Sequence, residues 1–351
     1  MIKPELPEPS TLKEFDNHKL ITFNYDKDIG LCGFIAIHRL NKKYPSFGAT
    51  RFWSYATEKE ALMDALRLSK AMSYKAALAG LPGGGAKAVL IKNSLSEKNK
   101  ERVFIEYARR VDYLSGRFVT GSDVGLTKED VFKMRKISPY FVGTKVAPEI
   151  FTALGIFHSI KVCLKHIYGN NDMTKRSFVI QGIGKVGGNL LKLLYKKTRN
   201  ISIADIDDSK IKFIKKKYPD VKVVNPTDIY KIKTDVFSPC ALSGCINYKN
   251  IYKLSCKIIC GGANNQLEDK NLSEVIYKMG ILYAPDYVVN AGGLISVYYE
   301  YKKSKLSQKD IKMKVKNIGS NLQKILKKSS RLRKSPSETA DKMAEKIFNG
   351  I

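Results

Sequence analysis

The 351-residue sequence is short of acid, of arginine and of tryptophan. Asp and Glu number 33 against 62 Lys and Arg, a formal charge of +29; only 12 of those bases are Arg, and there is a single Trp. Lysine-rich surface attracts phosphate, so a polyanionic partner has to be considered. Readers of bases and phosphates rely on arginine forks with interleaved aromatics, and no such motif is present. Residues 302–351 hold 15 Lys/Arg and four Asp/Glu, a net +11, and read as a solvated lysine face; nucleic acid is not an expected partner. Six cysteines in a chain of this length do not make a disulfide framework. Cys256 and Cys260, in KLSCKIICGG, read as small hydrophobes of a strand rather than as zinc ligands. The four histidines show no ligand spacing, so no metal is expected. No apolar run reaches the roughly 18–20 residues that span a bilayer, and MIKPELPEPS has no apolar segment of the kind found in secretory signals. A cytoplasmic protein is expected, with no membrane partner.

Apolar residues make up 44% of the chain and aromatics 10%, enough to build a core and to exclude a disordered chain. The length suggests two domains, and two patterns divide the sequence. Residues 20–145 mix strands and helices. LCGFIAIHRL (31–40) reads as a largely buried strand. Thr57 and Glu60 form a capping-box signal ahead of EALMDALRLSKAMSYK, whose Ala61, Leu62, Ala65, Leu68 and Met72 share a helical face. LAGLPGGGAKAVLI is a glycine-rich turn leading into a strand, KNKERVFIEYARRVDYL a second amphipathic helix, and GRFVTGSDVG a strand with its loop. From about residue 150 helices alternate with the short strands SFVIQ, ISIAD, VKVV, DVFSP, KIIC and ILYAP, the pattern of βαβ units and a parallel, doubly wound sheet. The last 50 residues read as helical and lysine-rich.

Gly182-Ile183-Gly184-Lys185-Val186-Gly187 is a GxGxxG sequence that follows SFVIQ and opens a helix, the context that gives the motif its meaning. Gly182 allows the tight turn, Gly184 the approach of a pyrophosphate, and Gly187 helix–strand packing, while the helix N-terminus offers free N–H groups to phosphate. Gly188, next in sequence, is counted with the cofactor-binding residues. Asp205, 18 residues beyond Gly187, can accept hydrogen bonds from both ribose hydroxyls and repels a 2′-phosphate, which favours NAD over NADP; Lys210 and Lys212 soften that exclusion.

Lys75 in MSYKAALAG and Lys87 in LPGGGAKAV bracket a glycine-rich turn. The turn is not a Walker loop, because Ala88 stands where a magnesium-binding Ser or Thr would be. Both lysines lie among glycines and small apolar residues, where a merely solvated lysine is an odd choice. Asp123, in VTGSDVG, adds a carboxylate in a similar loop. Together with GATRFW (48–53), ALRLSKAMSYKAALAGLPGGGAK (65–87), GRFVTGSDVG (116–125), GIGKVG (182–187), SPCALSG (238–244), GGANNQL (261–267) and YAPDYVVNAGG (283–293), this constellation resembles the glutamate/leucine/phenylalanine/valine dehydrogenase family. The resemblance runs over about residues 20–300 and is nearest to leucine and phenylalanine dehydrogenases.

That resemblance implies reversible oxidative deamination of an L-amino acid to the 2-oxo acid and ammonium, with NAD⁺ reduced to NADH. It implies an α/β fold with a cleft between two domains: an N-terminal α/β substrate domain of the dimerisation type (1–145), to which a C-terminal helix (325–351) returns, and a Rossmann-type doubly wound NAD-binding domain (146–324). Hinges are expected near 143–150 and 300–325, and a homo-oligomer is implied. Lys75 matches the lysine that holds the substrate carboxylate, Lys87 the lysine that polarises the carbonyl and activates water, and Asp123 the carboxylate that shuttles protons to the amino nitrogen. Repulsion between the two ammonium groups is expected to lower one pKa. Asn264, Asn265 and Asn290 match residues at the nicotinamide end, and Thr152 joins the cofactor set. Phe47, Gly48, Gly121, Leu294 and Val297 match the wall of the side-chain pocket. Gly121 and Leu294 are as in phenylalanine dehydrogenases; the methyl missing at Gly121 opens room for a ring and the longer Leu294 reshapes the opposite wall, whereas the Phe47 ring is expected to project inward and shrink the pocket. No cation stands ready for a second carboxylate, so an apolar substrate of the Phe, Leu or Val class is expected over glutamate. The sequence departs from leucine dehydrogenases in a shorter GTKVAPEIFT connection (143–152), in GGGAK for LGGGK, and in the lysine-rich tail. The competing reading, from another class, is a binding protein on a dehydrogenase scaffold that engages RNA or another polyanion.

Overall fold

The computed structural model describes residues 8–302 and 307–348. The chain divides into two compact units, the first holding described residues 8–147, 297–302 and 344–348, the second 148–296 and 307–343.

In the first unit a four-stranded sheet runs in the order β1 (Leu20–Asp26), β2 (Leu31–Ile37), β5 (Ala86–Ile91), β4 (Thr50–Trp53), with β4 parallel to β5 and the other pairs antiparallel. β3 (Ser46–Phe47) pairs in parallel with β6 (Phe118–Val119). All seven residues of β2 are buried because both faces of the strand are covered. Leu31, Ile35 and Ile37 face Val103, Phe104, Tyr107 and Val111 of α3 (Lys100–Tyr113) and Val131 and Met134 of α4 (Lys128–Arg135). Phe34 and Ala36 face Ala61, Leu62, Ala65 and Leu66 of α1 (Glu58–Leu78). The period of two along a strand thus sorts one apolar run into two cores. Thr57 caps α1 by accepting from the Glu60 N–H. The second amphipathic stretch breaks at Asn99 into α2 (Ser94–Lys98) and α3, because Asn93 starts α2 with its own capping box, four residues ahead of the expected helix.

The second unit is built on a six-stranded, wholly parallel sheet in the order β12 (Leu282–Tyr283), β11 (Cys256–Ile259), β10 (Thr234–Pro239), β7 (Phe178–Gln181), β8 (Ile201–Ala204), β9 (Lys222–Val223). The order reverses between β7 and β10, which makes the carboxyl ends of those strands the switch point of a dinucleotide-binding fold. Helices α5 (Pro148–Tyr168), α6 (Lys185–Leu194), α7 (Asp208–Lys217), α8 (Leu272–Lys278), α9 (Asp286–Val289), α10 (Gly292–Tyr301), α11 (Gln308–Leu332) and α12 (Pro336–Phe348) complete the chain. Among the described helices α5 alone is long and apolar enough to cross a membrane; here it packs against α6 and α11. Ile311, Val315, Ile318, Leu322 and Ile325, spaced three and four apart, form the buried stripe of α11. Gly319 lets that helix approach α5, where a Cβ would already lie 3.4 Å from Val162.

Three boundaries differ from the sequence reading, one of them at residues 297–302, which were expected in the NAD-binding domain and belong to the first unit. The break between units falls at 147/148 rather than 145/146. The return to the first unit begins at 344 rather than 325, since the apolar stripe of α11 commits that helix to the second unit and Arg333, in the left-handed region at φ 53°, ends it. Beyond α11, the end of α12 goes back, where Glu345 accepts from the Tyr74 hydroxyl at 3.0 Å and Phe348 packs edge-on against Tyr74. Residues 303–306 of the expected second hinge and 349–351 of the expected last helix lie outside the described residues.

The short connection between α4 and α5 is organised by Glu300, whose side chain is 2% exposed. It accepts from Arg135 Nη1 at 3.1 Å, from the N–H groups of Gly143, Thr144 and Val146 at 3.1–3.3 Å, and from the Thr144 hydroxyl at 3.3 Å. Deleting one partner of a buried ion pair leaves the other unpaired. Glu300→Ala is expected to lower the free energy of unfolding by about 3 kcal/mol, read from urea denaturation, with Glu300→Gln intermediate; an unchanged midpoint would show that 143–146 does not depend on this carboxylate.

Candidate active site and cofactor cradle

β5 is a strand of Ala, Val, Leu and Ile into which Lys87 is set. Ala86, Ala88 and Leu90 face α3 and α4, while Val89 faces α1, so Lys87, of the same parity as Val89, lies on the α1 side. The glycine turn before it is clamped at close range. Ser73 Oγ, on α1 two residues from Lys75, accepts from the Gly85 N–H at 2.9 Å, and a Cβ on Gly85 would stand 1.9 Å from the Ser73 nitrogen. A Cβ on Gly84 would stand 1.7 Å from the Arg39 carbonyl. The glycines therefore let the turn sit directly on α1, and the two candidate lysines are carried by elements that touch. Lys75 itself occupies the last turn of α1.

Lys87 is 6% exposed, and its Nζ donates to Asp123 Oδ2 at 2.6 Å. Asp123 is held in turn by its backbone, whose N–H donates to the Thr50 carbonyl at 3.0 Å. Burial pulls the Lys87 pKa below the usual lysine value, the Asp123 charge opposes that pull, and the Arg51 cation adds to it. Burial also raises the carboxyl of Asp123, but the Lys87 and Arg51 charges outweigh it and hold Asp123 ionised, well below the ordinary range. Desolvation is the largest contribution to the lysine shift, and Arg51 is a cation that adds to it. Arg51, within GATRFW, is a member of this site that no motif marks. Its signal was strand parity: β4 pairs with β5 so that Arg51 lies opposite Val89, on the face that carries Lys87.

The pocket residues fall as follows. A Cβ on Gly48 would be 1.9 Å from the Ala86 carbonyl, and one on Gly121 would be 3.0 Å from the Val142 carbonyl. The Phe47 ring, 1% exposed, packs edge-to-face on Tyr298 and Tyr301 at centroid distances of 5.4 and 5.6 Å, a setting among aromatics rather than an open wall. Val297 lies beside Gly143, and Leu294 is 8% exposed in the first turns of α10.

In the second unit the GxGxxG segment joins β7 to α6, as its spacing predicts, but the helix opens at Lys185, inside the motif. Gly182 has φ +85°, and a Cβ there would meet Ala241 at 2.8 Å. A Cβ on Gly187 would stand 1.9 Å from the Gly182 carbonyl, which makes that glycine the contact between helix and strand. Gly184 has nothing within 4 Å of its Cβ position, leaving its backbone open to a pyrophosphate at the start of α6. Asp205 Oδ2 accepts from the Ile183 N–H at 2.8 Å and Oδ1 from the Asp207 N–H at 3.0 Å, so this carboxylate braces the glycine turn. A groove of about 440 Å³ extends from the turn between α6 and α7, lined by Ile183, Gly184, Lys185, Gly188 and Lys210 among others. Beside the turn, Val186 approaches Gly262. Asn290 Nδ2 donates to Asn264 Oδ1 at 2.9 Å, while Asn290 Oδ1, buried, has no hydrogen-bond partner, an acceptor left for a carboxamide donor. Asn265 takes the left-handed conformation at φ 48° and its carbonyl accepts from Gly244. Thr152 donates to the Pro148 carbonyl at 3.0 Å and would be met at 2.7 Å by a Cβ on Gly293. These residues fit a nicotinamide dinucleotide: an open glycine cradle, a carboxylate beside it and an unfilled acceptor. The six cysteines are all free thiols, and among the described residues no group of His, Cys, Asp and Glu could hold a metal ion.

Gly187→Ala is expected to raise the Kd for NADH roughly tenfold or more, since 1–3 kcal/mol of overpacking falls on the cradle itself. Fluorescence titration measures this, and wild-type affinity would remove Gly187 from the cradle.

Comparison with known proteins agrees with this geometry. The dimerisation-domain profile of the Glu/Leu/Phe/Val dehydrogenases matches residues 18–138, and the glutamate/leucine/phenylalanine/valine dehydrogenase profile matches residues 202–346. L-Tryptophan dehydrogenase of Nostoc punctiforme is 41% identical over 294 residues, 83% of this chain and 82% of that protein. Its crystal structure aligns with a TM-score of 0.83 at 38% identity, over 95% of this chain and 96% of that one. Phenylalanine dehydrogenase of Caldalkalibacillus thermarum is 39% identical over 82% of this chain and 80% of its own length. Leucine dehydrogenase of Geobacillus stearothermophilus is 36% identical over 94% and 90%. The chain belongs to the glutamate/leucine/phenylalanine/valine dehydrogenase family, and with it to the NAD-dependent oxidoreductases that act on amino acids.

Proposed function

We propose that this chain oxidatively deaminates a large apolar L-amino acid, with phenylalanine ahead of leucine or valine, and that Lys75, Lys87 and Asp123 carry the chemistry. The balanced reaction takes L-amino acid, NAD⁺ and water to 2-oxo acid, ammonium, NADH and a proton. The observation that carries the reading is the buried Lys87–Asp123 pair at 2.6 Å, an ion pair that a purely structural strand has little reason to bury. NAD⁺ bound at the glycine cradle supplies the hydride acceptor. Lys75, a fixed ammonium at the end of α1, anchors the substrate carboxylate. Lys87, with its pKa lowered by burial, gives up its proton more readily than a solvated lysine, so it can take one from water and return it to the carbonyl oxygen in the reverse direction. Asp123, held ionised beside it, accepts a proton from the substrate nitrogen and gives it back as ammonia leaves. Relatives named for tryptophan and phenylalanine support a ring-sized pocket, whereas the Val142 carbonyl already stands 3.0 Å from where a Gly121 Cβ would lie. A homo-oligomer is the proposed assembly, supported by the dimerisation-domain profile. The free thiols support a cytoplasmic setting.

Lys87→Ala is expected to lower kcat by at least about a hundredfold while leaving NADH binding nearly intact. Lys75→Ala should mainly raise KM for the amino acid. Near-wild-type kcat in the Lys87 variant at neutral pH would refute its role. For specificity, kcat/KM measured for Phe, Trp, Leu, Val and Glu under one condition is expected to place an aromatic first and glutamate last. Gly121→Ala should shift the ratio toward Leu and Val by roughly tenfold, the worth of a methyl group in an apolar pocket; glutamate on top, or no shift, would overturn the pocket assignment.

A further inference from the structure

The oxygen that receives the Lys87 proton also receives a second cation. Arg51 Nε donates to Asp123 Oδ2 at 3.0 Å, and Lys87 Nζ donates to that same atom at 2.6 Å. From its other edge Arg51 Nη1 donates to Asp64 Oδ2 at 2.8 Å. Asp64, on α1, is itself fully engaged: the Tyr55 hydroxyl donates to Oδ2 and Arg67 Nη2 to Oδ1, both at 2.6 Å. The result is a ladder of alternating charge, Lys87, Asp123, Arg51, Asp64, Arg67, running from β5 through the 120–125 loop and β4 to α1. Its inner members are largely buried; the Asp64 and Asp123 side chains are 12% and 17% exposed. Bridging two carboxylates from opposite edges is a task for the planar guanidinium fork, which a lysine cannot reproduce. Asp64 and Lys75 are eleven residues apart on α1, close to three full turns, so both project from the same side of the helix.

We propose that Arg51 is a positioning residue for the amino-acid dehydrogenase reaction: anchored by Asp64, it holds the Asp123 carboxylate against Lys87 and tunes the proton affinity of that lysine. The proposal rests on the roles given above to Lys87 and Asp123. The charged groups that bear on Lys87 are Asp123 from the loop, Arg51 from β4, Asp64 from α1, and, farther along that helix, Arg67 and Lys75; Tyr55 contributes a hydroxyl. The Arg51 cation disfavours protonated Lys87, and the Asp64 anion favours it. Removing one charge must therefore push the lysine in the direction opposite to removing the other.

The test is the pH profile of kcat in Arg51→Gln, Arg51→Lys and Asp64→Asn, beside wild type. Arg51→Gln relieves the repulsion, so the limb that reports deprotonation of Lys87 moves to higher pH. Asp64→Asn leaves the arginine uncompensated, so the limb moves to lower pH; each shift is on the order of half to one pH unit. At the wild-type optimum Arg51→Gln is expected to lose roughly ten- to a hundredfold in kcat through misplacement of Asp123, with KM changed far less. Arg51→Lys keeps the charge but not the fork, and should hold the limb near wild type while recovering kcat only in part. A merely structural contribution would move both limbs the same way or neither, and that outcome overturns the proposal. Should Arg51→Gln fail to fold, the Asp64→Asn and Arg51→Lys profiles decide the sign. Wild-type limbs in these variants together with an inactive Lys87→Ala would remove Arg51 alone; an active Lys87→Ala would remove the reading of Lys87 itself, and this proposal with it.

Discussion

A lysine set into an apolar central strand has to be answered by a carboxylate, and much of the first unit follows from that. Lys87 on β5 has Ala86 and Ala88 as neighbours and is almost out of contact with water. A lone ammonium there would neutralise itself rather than pay the full desolvation cost. Asp123 supplies the counter-charge at 2.6 Å, and the loop that presents it is tied to β4 through the Thr50 carbonyl. Thr50 continues the same support: its hydroxyl bonds to the buried Tyr107 and to Thr120. The ion pair is thus fixed by the sheet on one side and by the α3 core on the other, so that neither group can drift from its partner.

Electrostatic demand then spreads outward. Asp123 neutralises Lys87, Arg51 joins the same carboxylate, and Asp64 neutralises Arg51. Each charge is satisfied by a neighbour on a different element, so the site ties together a helix, two strands and a loop. Close packing makes the arrangement possible. The glycines at 84 and 85 let the turn before Lys87 touch α1 and the 39–46 segment at distances no side chain would allow. The second unit answers a different demand, that of an anionic dinucleotide. There the glycines leave the backbone bare at the head of α6, and the one carboxylate at that turn, Asp205, is held by two backbone N–H groups.

Much of this was legible in the sequence because it rests on local rules. The capping signal at Thr57 and Glu60, the glycine motif between a strand and a helix, and the alternating helix and strand beyond residue 150 each depend on a few neighbouring residues. Lys75, Lys87 and Asp123 stood out because charged residues are unusual among glycine and alanine. The glycines that permit close backbone approach were visible too, since substitution at those positions is excluded by sterics whatever lies across from them.

Only the tertiary structure decided which charges meet. Arg51 and Asp64 are ordinary in sequence, one in a short strand and the other on a polar helix face; their pairing depends on the parallel register of β4 against β5 and on the rotation of α1 over the sheet. For the same reason the parts that burial and Arg51 play in lowering Lys87 are not visible in the sequence, where Lys75 is the conspicuous partner. The point at which the C-terminal chain rejoins the first unit was likewise set by α11, whose apolar stripe fits α5. Local propensity and period determine the elements of this chain; register, helix rotation and packing are long-range properties, and they determine which side chains share a charge.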